Sequence, residues 1–289
     1  MKLSVSVTNY SWPVAAIHDE LASLAKRLDA SAVDTLWVAD HLLQADPSSS
    51  LDEPMLEAYT TLGFLAAQTT RLRLGTMVTA ATFRAPALLI KAVTTLDVLS
   101  KGRAWLGIGA GYNNDEARAM GLYLPGSAER FDRLTELLAL ARRMWDGDDS
   151  AFDGRHLHLD RPISSPRPVN GRLPILIGGA GERRTLRLVA ENGDACNLFD
   201  IPDGGKTLAR KLDVLQRHCA DVGRPCGEIE RTVTTGFDDA ETAESLTQRC
   251  EQLGSLGAQH IVLITRGRPW RAADCDVVAT AAERLAAVS

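Results

Sequence analysis

The chain has 289 residues, of which 45% are hydrophobic and 24% charged, a composition that excludes disordered and fibrous proteins. The 32 Lys and Arg residues against 37 Asp and Glu residues give a net charge of −5, which argues against a nucleic-acid-binding surface. The 5 cysteines are scattered without a CxxC pair, so we expect free thiols in a reducing cytoplasm and neither disulfides nor a cysteine-bound metal.

Eight short segments rich in β-branched residues alternate with longer helical patterns. In chain order the predicted strands are Leu3–Val7, Asp34–Ala39, Leu72–Val78, Arg103–Gly109, Pro174–Gly179, Asp194–Phe199, Arg231–Thr235 and His260–Thr265. Several are nearly continuous apolar runs, the pattern of parallel strands that are covered on both faces. Two helices stand out: Pro86–Leu99 begins with a first-turn proline, and Glu129–Trp145 has apolar residues at helical spacing before Gly147.

This alternation predicts an α/β fold, a (β/α)8 TIM barrel in a single domain over residues 1–289. The alternative, a doubly wound open sheet, would place a glycine-rich nucleotide loop after the first strand, where the sequence has TNYSWP. Residues 148–173, rich in Pro, Arg and His, interrupt the alternation of strands and helices before the fifth strand. An insertion of this length in a compact domain is typical of a lid over a binding site.

Chemistry in such a barrel lies at the C-terminal ends of the strands. The polar residues there are Asp40 and His41 after strand two, Thr79 after strand three, Tyr112 and Asn113 after strand four, and Asn197 in strand six. His41 follows a strand directly, where a histidine donates a proton near neutral pH or else bonds the backbone to end the strand. Its place in the barrel favours the functional interpretation.

Two glycine-rich segments follow strands four and five. In GIGAGYNN the third glycine of a dinucleotide fingerprint is missing, so Gly109 and Gly111 let a ligand ring approach the backbone or only turn the chain. In GGAGERR, the segment Gly178–Gly181 exposes backbone N–H groups before a helix, which favours a phosphate, and a plain turn is the alternative. His156 and His158 lack a third ligand at metal spacing, so we expect no metal site.

Three segments together resemble one family. They are DTLWVADHL, the long run from EAYTTLGFLAAQ to GIGAGYNNDEARAMG, and LPILIGGAGERRTLRLVAENGDACNLF. The chain resembles the bacterial luciferase-like monooxygenases over about residues 30–200, and within them the branch of deazaflavin (coenzyme F420) oxidoreductases. This resemblance implies a (β/α)8 barrel with an insertion before strand five and a flavin-type ring across its C-terminal mouth.

The resemblance also implies roles for individual residues. A non-proline cis peptide at Met77–Val78 would back the ring, the Asp40–His41 pair would face its reactive position, and the GGAG loop would receive the phosphate. The residues expected beside the coenzyme are Met77, Val78, Thr79, Gly109, Gly111, Asn113, Gly178, Gly179, Ala180, Gly181, Arg183 and Asn197. The expected catalytic residues are His41, Asp40 and Tyr112. Tyr112 replaces a glutamate proton donor of the sugar-phosphate dehydrogenases in this branch, which argues against that activity.

The resemblance leaves three functions open. The first is an F420-dependent oxidoreductase that moves hydride to or from a small organic substrate, because a deazaflavin has carbon in place of N5 and activates oxygen poorly. The second is an FMN-dependent monooxygenase supplied with reduced flavin by a separate reductase. The third is a protein that binds flavin without catalysis.

Charge gives a physical reason to prefer the deazaflavin, because its oligoglutamate tail, absent from FMN, requires local positive charge. Arg183, Arg184, Lys206 and Arg210 would supply that charge near the mouth. We expect a homodimer with no nucleic-acid partner. No membrane partner is expected either, since no apolar run approaches the roughly 18 residues of a span.

Overall fold

A closed barrel of eight parallel strands is the centre of the molecule, which we describe from a computed structural model for residues 1–287. The strands in chain order are β1 (Lys2–Val7), β2 (Thr35–Val38), β3 (Arg73–Thr76), β4 (Thr79–Ala80), β5 (Ala104–Gly109), β6 (Phe152–Asp153), β7 (His158–Leu159), β8 (Ile175–Gly178), β9 (Ala195–Phe199), β10 (Glu230–Gly236) and β11 (His260–Ile264). The barrel closes where β1 pairs with β11 and where β3 pairs with β5. Each of the eight predicted strands corresponds to one barrel strand, which confirms the predicted TIM barrel.

Helices surround the barrel and bury their apolar faces against it. They are α1 (Ile17–Asp29), α2 (Ala58–Gln68), α3 (Pro86–Leu99), α4 (Asn114–Ala119), α5 (Ser127–Asp146), α6 (Thr185–Asn192), α7 (Lys206–Val222), α8 (Ala243–Ser255) and α9 (Ala272–Ala287). The predicted helix Pro86–Leu99 has the same bounds as α3 at both ends. The longer α5 ends where Gly147 adopts φ 81°, a left-handed conformation that glycine tolerates. Across residues 1–287, the helices are too short or too polar to cross a membrane.

Large side chains fill the interior of the barrel. Trp37 of β2 and Trp105 of β5 lie with ring centroids 5.9 Å apart and pack with Leu176 and Val262. Met77 and Val78 pack onto this cluster from the C-terminal side. The interior is therefore a packed core, and space for a ligand remains at the C-terminal mouth.

The third predicted strand is wrong in one respect, because the continuous Leu72–Val78 run is interrupted. β3 ends at Thr76, the Met77–Val78 peptide bond is cis, and β4 resumes the pairing with β5. The cis bond is the one that the family resemblance implies. The interruption turns the chain toward β5, where the Thr76 carbonyl oxygen lies 1.8 Å from the position of a Cβ on Gly107. Only glycine fits there.

The segment of residues 148–173 is attached to two helices of the barrel, and its expected role as a lid stays a prediction. Its β6–β7 hairpin is held by Glu136 of α5, whose carboxylate accepts hydrogen bonds from the backbone N–H groups of residues 155–157. Asp97 of α3 accepts another from the Val169 N–H at 2.8 Å. These carboxylates tie the insertion to α3 and α5, and none of its residues lines the cavity at the mouth.

Candidate active site

A cavity of about 550 Å³ opens at the C-terminal mouth of the barrel, large enough for a ligand the size of a cofactor ring with its substituents. Most of the residues expected beside the coenzyme line it, and so do the three residues expected to be catalytic. They are Asp40, His41, Met77, Val78, Thr79, Gly109, Gly111, Tyr112, Asn113, Gly178, Gly179 and Asn197. The strand-end argument therefore brings together side chains from the second, third, fourth, fifth and sixth barrel strands.

Three residues of the predicted set do not reach the cavity. Ala180, Gly181 and Arg183 belong to the turn between β8 and α6, which begins at Thr185, and they are not among the lining residues. Thr185 itself lines the cavity, and its Oγ1 lies 2.8 Å from where a Cβ on Gly181 would stand. The glycine therefore makes room for the threonine side chain, and its expected contact with the cofactor stays a prediction.

Sequence patterns missed a second group of lining residues. They include Ser6, Thr8, Gln44, Arg130, Phe131, Thr185, Phe199, Thr234 and Arg266. Arg130 and Phe131 lie in the first turns of α5, far along the chain from a strand end. The strand-end rule identifies residues directly after strands, so it misses side chains that a following helix brings back over the mouth.

His41 is held by a buried glutamate that the sequence analysis also missed. The Nδ1 atom of His41 lies 2.7 Å from Oε2 of Glu116, whose side chain is 0% exposed. Burial raises the pKa of this carboxyl, but hydrogen bonds from His41 and from the N–H groups of Leu42 and Leu43 outweigh it and leave the pKa below its ordinary value. Glu116 is therefore an ionised acceptor at neutral pH.

The other side of the His41 ring faces Tyr112. The Tyr112 hydroxyl lies 3.5 Å from Nε2, and the two rings meet edge to face with centroids 5.9 Å apart. Tyr112 is 70% exposed, so it forms an outer wall of the mouth. The structure thus brings two residues that were each predicted as catalytic, His41 and Tyr112, into contact at the cavity.

Asp40 also lines the cavity, beside His41. Its carboxylate is buried, accepts from both terminal nitrogens of Arg84, and accepts from the Thr79 hydroxyl at 2.6 Å. Thr79 also contacts the hydroxyls of Tyr59 at 3.1 Å and Thr76 at 3.0 Å. With both oxygens bonded, Asp40 anchors the loop that begins with His41, and its expected catalytic role stays a prediction.

Glycines of both sequence motifs make room for the side chain of Val78. A Cβ on Gly178 would stand 2.7 Å from Val78 Cγ2, and one on Gly109 would stand 3.1 Å from the same atom. Because neither glycine has a Cβ, the side chain of Val78 lies between β5 and β8 at the floor of the cavity. Gly111 and Gly179 have φ values of +79° and +116°, so they turn the chain at the ends of the same strands.

Donors without protein partners face this region and fit a polar ligand. The buried Ser6 hydroxyl and the buried Nε of Arg130 lack hydrogen-bond partners among residues 1–287. Asn197 is oriented by Thr232 and Thr234, whose hydroxyls lie 2.8 and 3.0 Å from its Oδ1, which leaves its amide nitrogen for a ligand. Buried donors normally find acceptors, so these residues fit a ligand that presents several acceptor atoms.

The four cations expected near the mouth are not equivalent. Arg184 pairs with Asp132 at 2.7 Å, and Arg210 pairs with Glu182, so both charges are largely compensated. Arg183 and Lys206 are exposed, and neither forms an ion pair within the part of the chain that the structure describes. The available positive charge is therefore smaller than the sequence predicts.

A closed parallel barrel with a cavity at its C-terminal mouth, lined by a histidine that a buried glutamate holds, defines a (β/α)8-barrel enzyme. Sequence comparison gives the family. The model of the luciferase-like monooxygenase family matches residues 1–282, and the chain belongs to this family.

Individual relatives are consistent with this family. The chain is 31% identical over 233 residues to an F420-dependent glucose-6-phosphate dehydrogenase of Kineococcus radiotolerans, a match that covers 78% of this chain and 66% of that protein, just under two thirds. The fold is similar to that of monooxygenase RslO1 from Streptomyces bottropensis (TM-score 0.83, 17% identity) and of an F420-dependent secondary alcohol dehydrogenase (0.81, 16%). Both structures cover 100% of this chain and 99% of their own. The similarity to these two structures shows that they share the fold of this chain.

Proposed function

We propose that the protein is a coenzyme F420-dependent oxidoreductase that moves hydride to or from a small organic substrate, with His41 as its proton-handling residue. The observation that supports this most is the presentation of the His41 ring. Its Nδ1 is bonded to Glu116, while its Nε2 lies at the cavity beside Tyr112. A ring held in this way exchanges a proton with a substrate oxygen through Nε2.

The cavity offers distinct surfaces to the coenzyme. Met77 and Val78 would form an apolar floor behind its ring, and the backbone at Gly109 would allow close approach. Thr185 and the unpartnered Nε of Arg130 would bind its phosphate. When bound, the deazaflavin supplies the redox chemistry, and the protein contributes orientation and electrostatics.

Two considerations favour a deazaflavin over FMN. The relative from Kineococcus radiotolerans is named for its F420 dependence, and it is similar over 78% of this chain. The exposed Arg183 and Lys206 flank the fifth and sixth strand ends, where positive charge would favour the acidic tail that FMN lacks. Tyr112 at the position of a glutamate proton donor supports a substrate other than a sugar phosphate.

Absorbance titration of the purified protein with each coenzyme tests this proposal. We expect saturable perturbation of the F420 spectrum, much weaker perturbation of the FMN spectrum, and bleaching of bound F420 when an oxidisable alcohol from a substrate panel is added. Tight FMN binding without F420 binding would overturn the proposal in favour of a flavin monooxygenase. The variant Thr185→Val, which keeps the side-chain volume but removes the hydroxyl, is expected to weaken binding of the phosphate-bearing coenzyme.

A further inference from the structure

A single buried carboxylate binds three donors from the loop that follows β2. Oε2 of Glu116 faces Nδ1 of His41 at 2.7 Å, and Oε1 accepts from the backbone N–H groups of Leu42 at 2.6 Å and Leu43 at 3.2 Å. We propose that Glu116 is a positioning residue that selects the His41 tautomer with the proton on Nδ1, so that Nε2 faces the cavity as an acceptor. This inference rests on the proposed role of His41 in the redox site.

The chemistry of the groups makes the tautomer assignment definite. A carboxylate has only acceptor atoms, so the 2.7 Å contact requires that Nδ1 of His41 donate. In the neutral ring the other nitrogen, Nε2, is then without a proton. The Glu116 side chain is fully buried, so no solvent molecule competes for its oxygens. The Tyr112 hydroxyl at 3.5 Å from Nε2 is placed to donate to it.

The position of Glu116 is fixed from the other side of the active site. Asn113 caps α4, and its Oδ1 accepts from the Glu116 N–H at 3.1 Å. This cap begins the short helix directly after β5 and turns the Glu116 side chain inward. The contact therefore joins the loop after β2 to the loop after β5, and it sets the angle of the His41 ring as well as its proton.

The variant Glu116→Gln tests the tautomer directly, because a glutamine amide has one acceptor, its oxygen, and one donor group, its NH2. The N–H groups of Leu42 and Leu43 require an acceptor, so the amide oxygen takes the place of Oε1. The amide NH2 group then faces Nδ1 of His41 and makes it an acceptor. The proton moves to Nε2, while the ring stays in place because the two side chains have the same shape.

Glu136→Gln is a matched control. Glu136 also accepts hydrogen bonds from consecutive backbone N–H groups, those of Arg155, His156 and Leu157, but it lies outside the cavity. It therefore reports the general effect of replacing a carboxylate that holds a loop. We expect Glu136→Gln to change neither the tautomer of His41 nor turnover by more than about twofold.

The readout is the pair of ¹⁵N resonances of the His41 ring in the protein without coenzyme, at a pH where the ring is neutral. We expect a protonated Nδ1 in the wild type and in Glu136→Gln, and a protonated Nε2 in Glu116→Gln. In turnover assays, Glu116→Gln should lower kcat by roughly 10²-fold or more, within the usual contribution of a positioned acid or base, with little change in coenzyme affinity.

Each outcome has a distinct meaning. A wild-type ring with its proton on Nε2 would overturn the inference about Glu116, and this measurement does not depend on the folding of any variant. An unchanged tautomer in Glu116→Gln would also overturn it. A switched tautomer with unchanged turnover would support the inference about Glu116. That same result would overturn the proposed use of His41 in catalysis, so the two failures are distinguishable.

Discussion

At the scale of single residues, His41 is the group whose chemistry the surrounding contacts define most fully. If its Nε2 exchanges a proton with the substrate, His41→Ala should lower kcat by roughly 10²–10⁴-fold, the usual contribution of a positioned acid or base. Coenzyme affinity should change little, because Met77, Val78 and the neighbouring backbone remain. Steady-state kinetics together with absorbance titration of the coenzyme measure both quantities.

His158→Ala is a suitable control for this substitution. His158 also contacts a carboxylate, Asp153 at 2.6 Å, but it lies in the outer hairpin with a side chain 63% exposed. Wild-type turnover is expected for this control. Unchanged turnover in His41→Ala would instead assign His41 to a structural role at the end of β2.

The same residues show what sequence reasoning could reach. A histidine directly after a strand is visible from local pattern alone, and His41 lies in the cavity as expected. Its partner Glu116 is 75 positions away and resembles an ordinary first-turn acid of a helix. A contact between loops after non-consecutive strands depends on the curvature of the closed barrel, which local sequence patterns do not contain.

At the scale of secondary-structure elements, the interruption between β3 and β4 depends on glycine in the neighbouring strand. A methyl group on Gly107 would stand 1.8 Å from the Thr76 carbonyl oxygen, a backbone atom that cannot rotate away. Gly107→Ala should therefore destabilise the protein by about 1–3 kcal/mol or more and disturb the cavity floor. Thermal and urea unfolding measure the change.

Gly63→Ala provides the comparison, because Gly63 lies inside α2 with open space where its Cβ would be. Removing a helical glycine there should stabilise the protein by roughly 0.5–1 kcal/mol. Equal stability of the two alanine variants would show that β5 can move away from Thr76, contrary to the geometry described above.

Elements differ in how far their sequences determine them. The bounds of α3 follow from Pro86 and the apolar pattern, and the prediction matches the structure at both ends. The segment Leu72–Val78 is equally apolar throughout, so nothing in its pattern marks the break at Met77. Residues 148–173 were identifiable as an insertion, but their location depends on Glu136 and Asp97, carboxylates of helices far from them in sequence.

At the scale of the whole molecule, a largely buried chain of polar side chains joins three strands at the N-terminal end of the barrel. Glu230 of β10 contacts Nδ1 of His260 at 2.6 Å, and the same ring contacts the Ser4 hydroxyl of β1 through Nε2. Burial raises the pKa of Glu230, but bonds from His260 and from Lys2 outweigh it and lower the pKa from the usual 4.5 to about 2.

A lowered carboxyl pKa stabilises the fold above the unfolded-state value and loses that effect as pH falls through the folded-state value. The free energy of unfolding should therefore fall by up to about 3 kcal/mol from this group between pH 4.5 and 2. Glu230→Gln should be less stable at neutral pH and show a shallower fall in that window. The exposed Glu228→Gln should keep the wild-type slope, and an unchanged slope in Glu230→Gln would contradict the assignment.

The distribution of charge over the whole surface separates the two candidate cofactors. A molecule with net charge −5 repels an oligoglutamate tail unless local cations face it, and Arg183 and Lys206 are the exposed cations after β8 and β9. Each exposed pair contributes about 0.2–1 kcal/mol, so Arg183→Glu with Lys206→Glu should weaken binding of F420 by roughly tenfold at low salt. Binding of a tail-less deazaflavin should weaken less, because its ring and phosphate contact other residues.

The control changes the net charge equally at the opposite end of the barrel, by Lys26→Glu with Lys101→Glu. Both lysines are exposed: Lys26 lies in the last turn of α1 and Lys101 follows the end of α3, so both precede the N-terminal ends of strands. We expect this control to change coenzyme affinity little. Salt screens exposed charges beyond a Debye length, which is about 8 Å at physiological salt, so only cations near the tail affect its binding. Equal losses for the two ligands, or for the two double variants, would mean that the tail is not bound at this face. The charge-based preference for F420 over FMN would then fail as well.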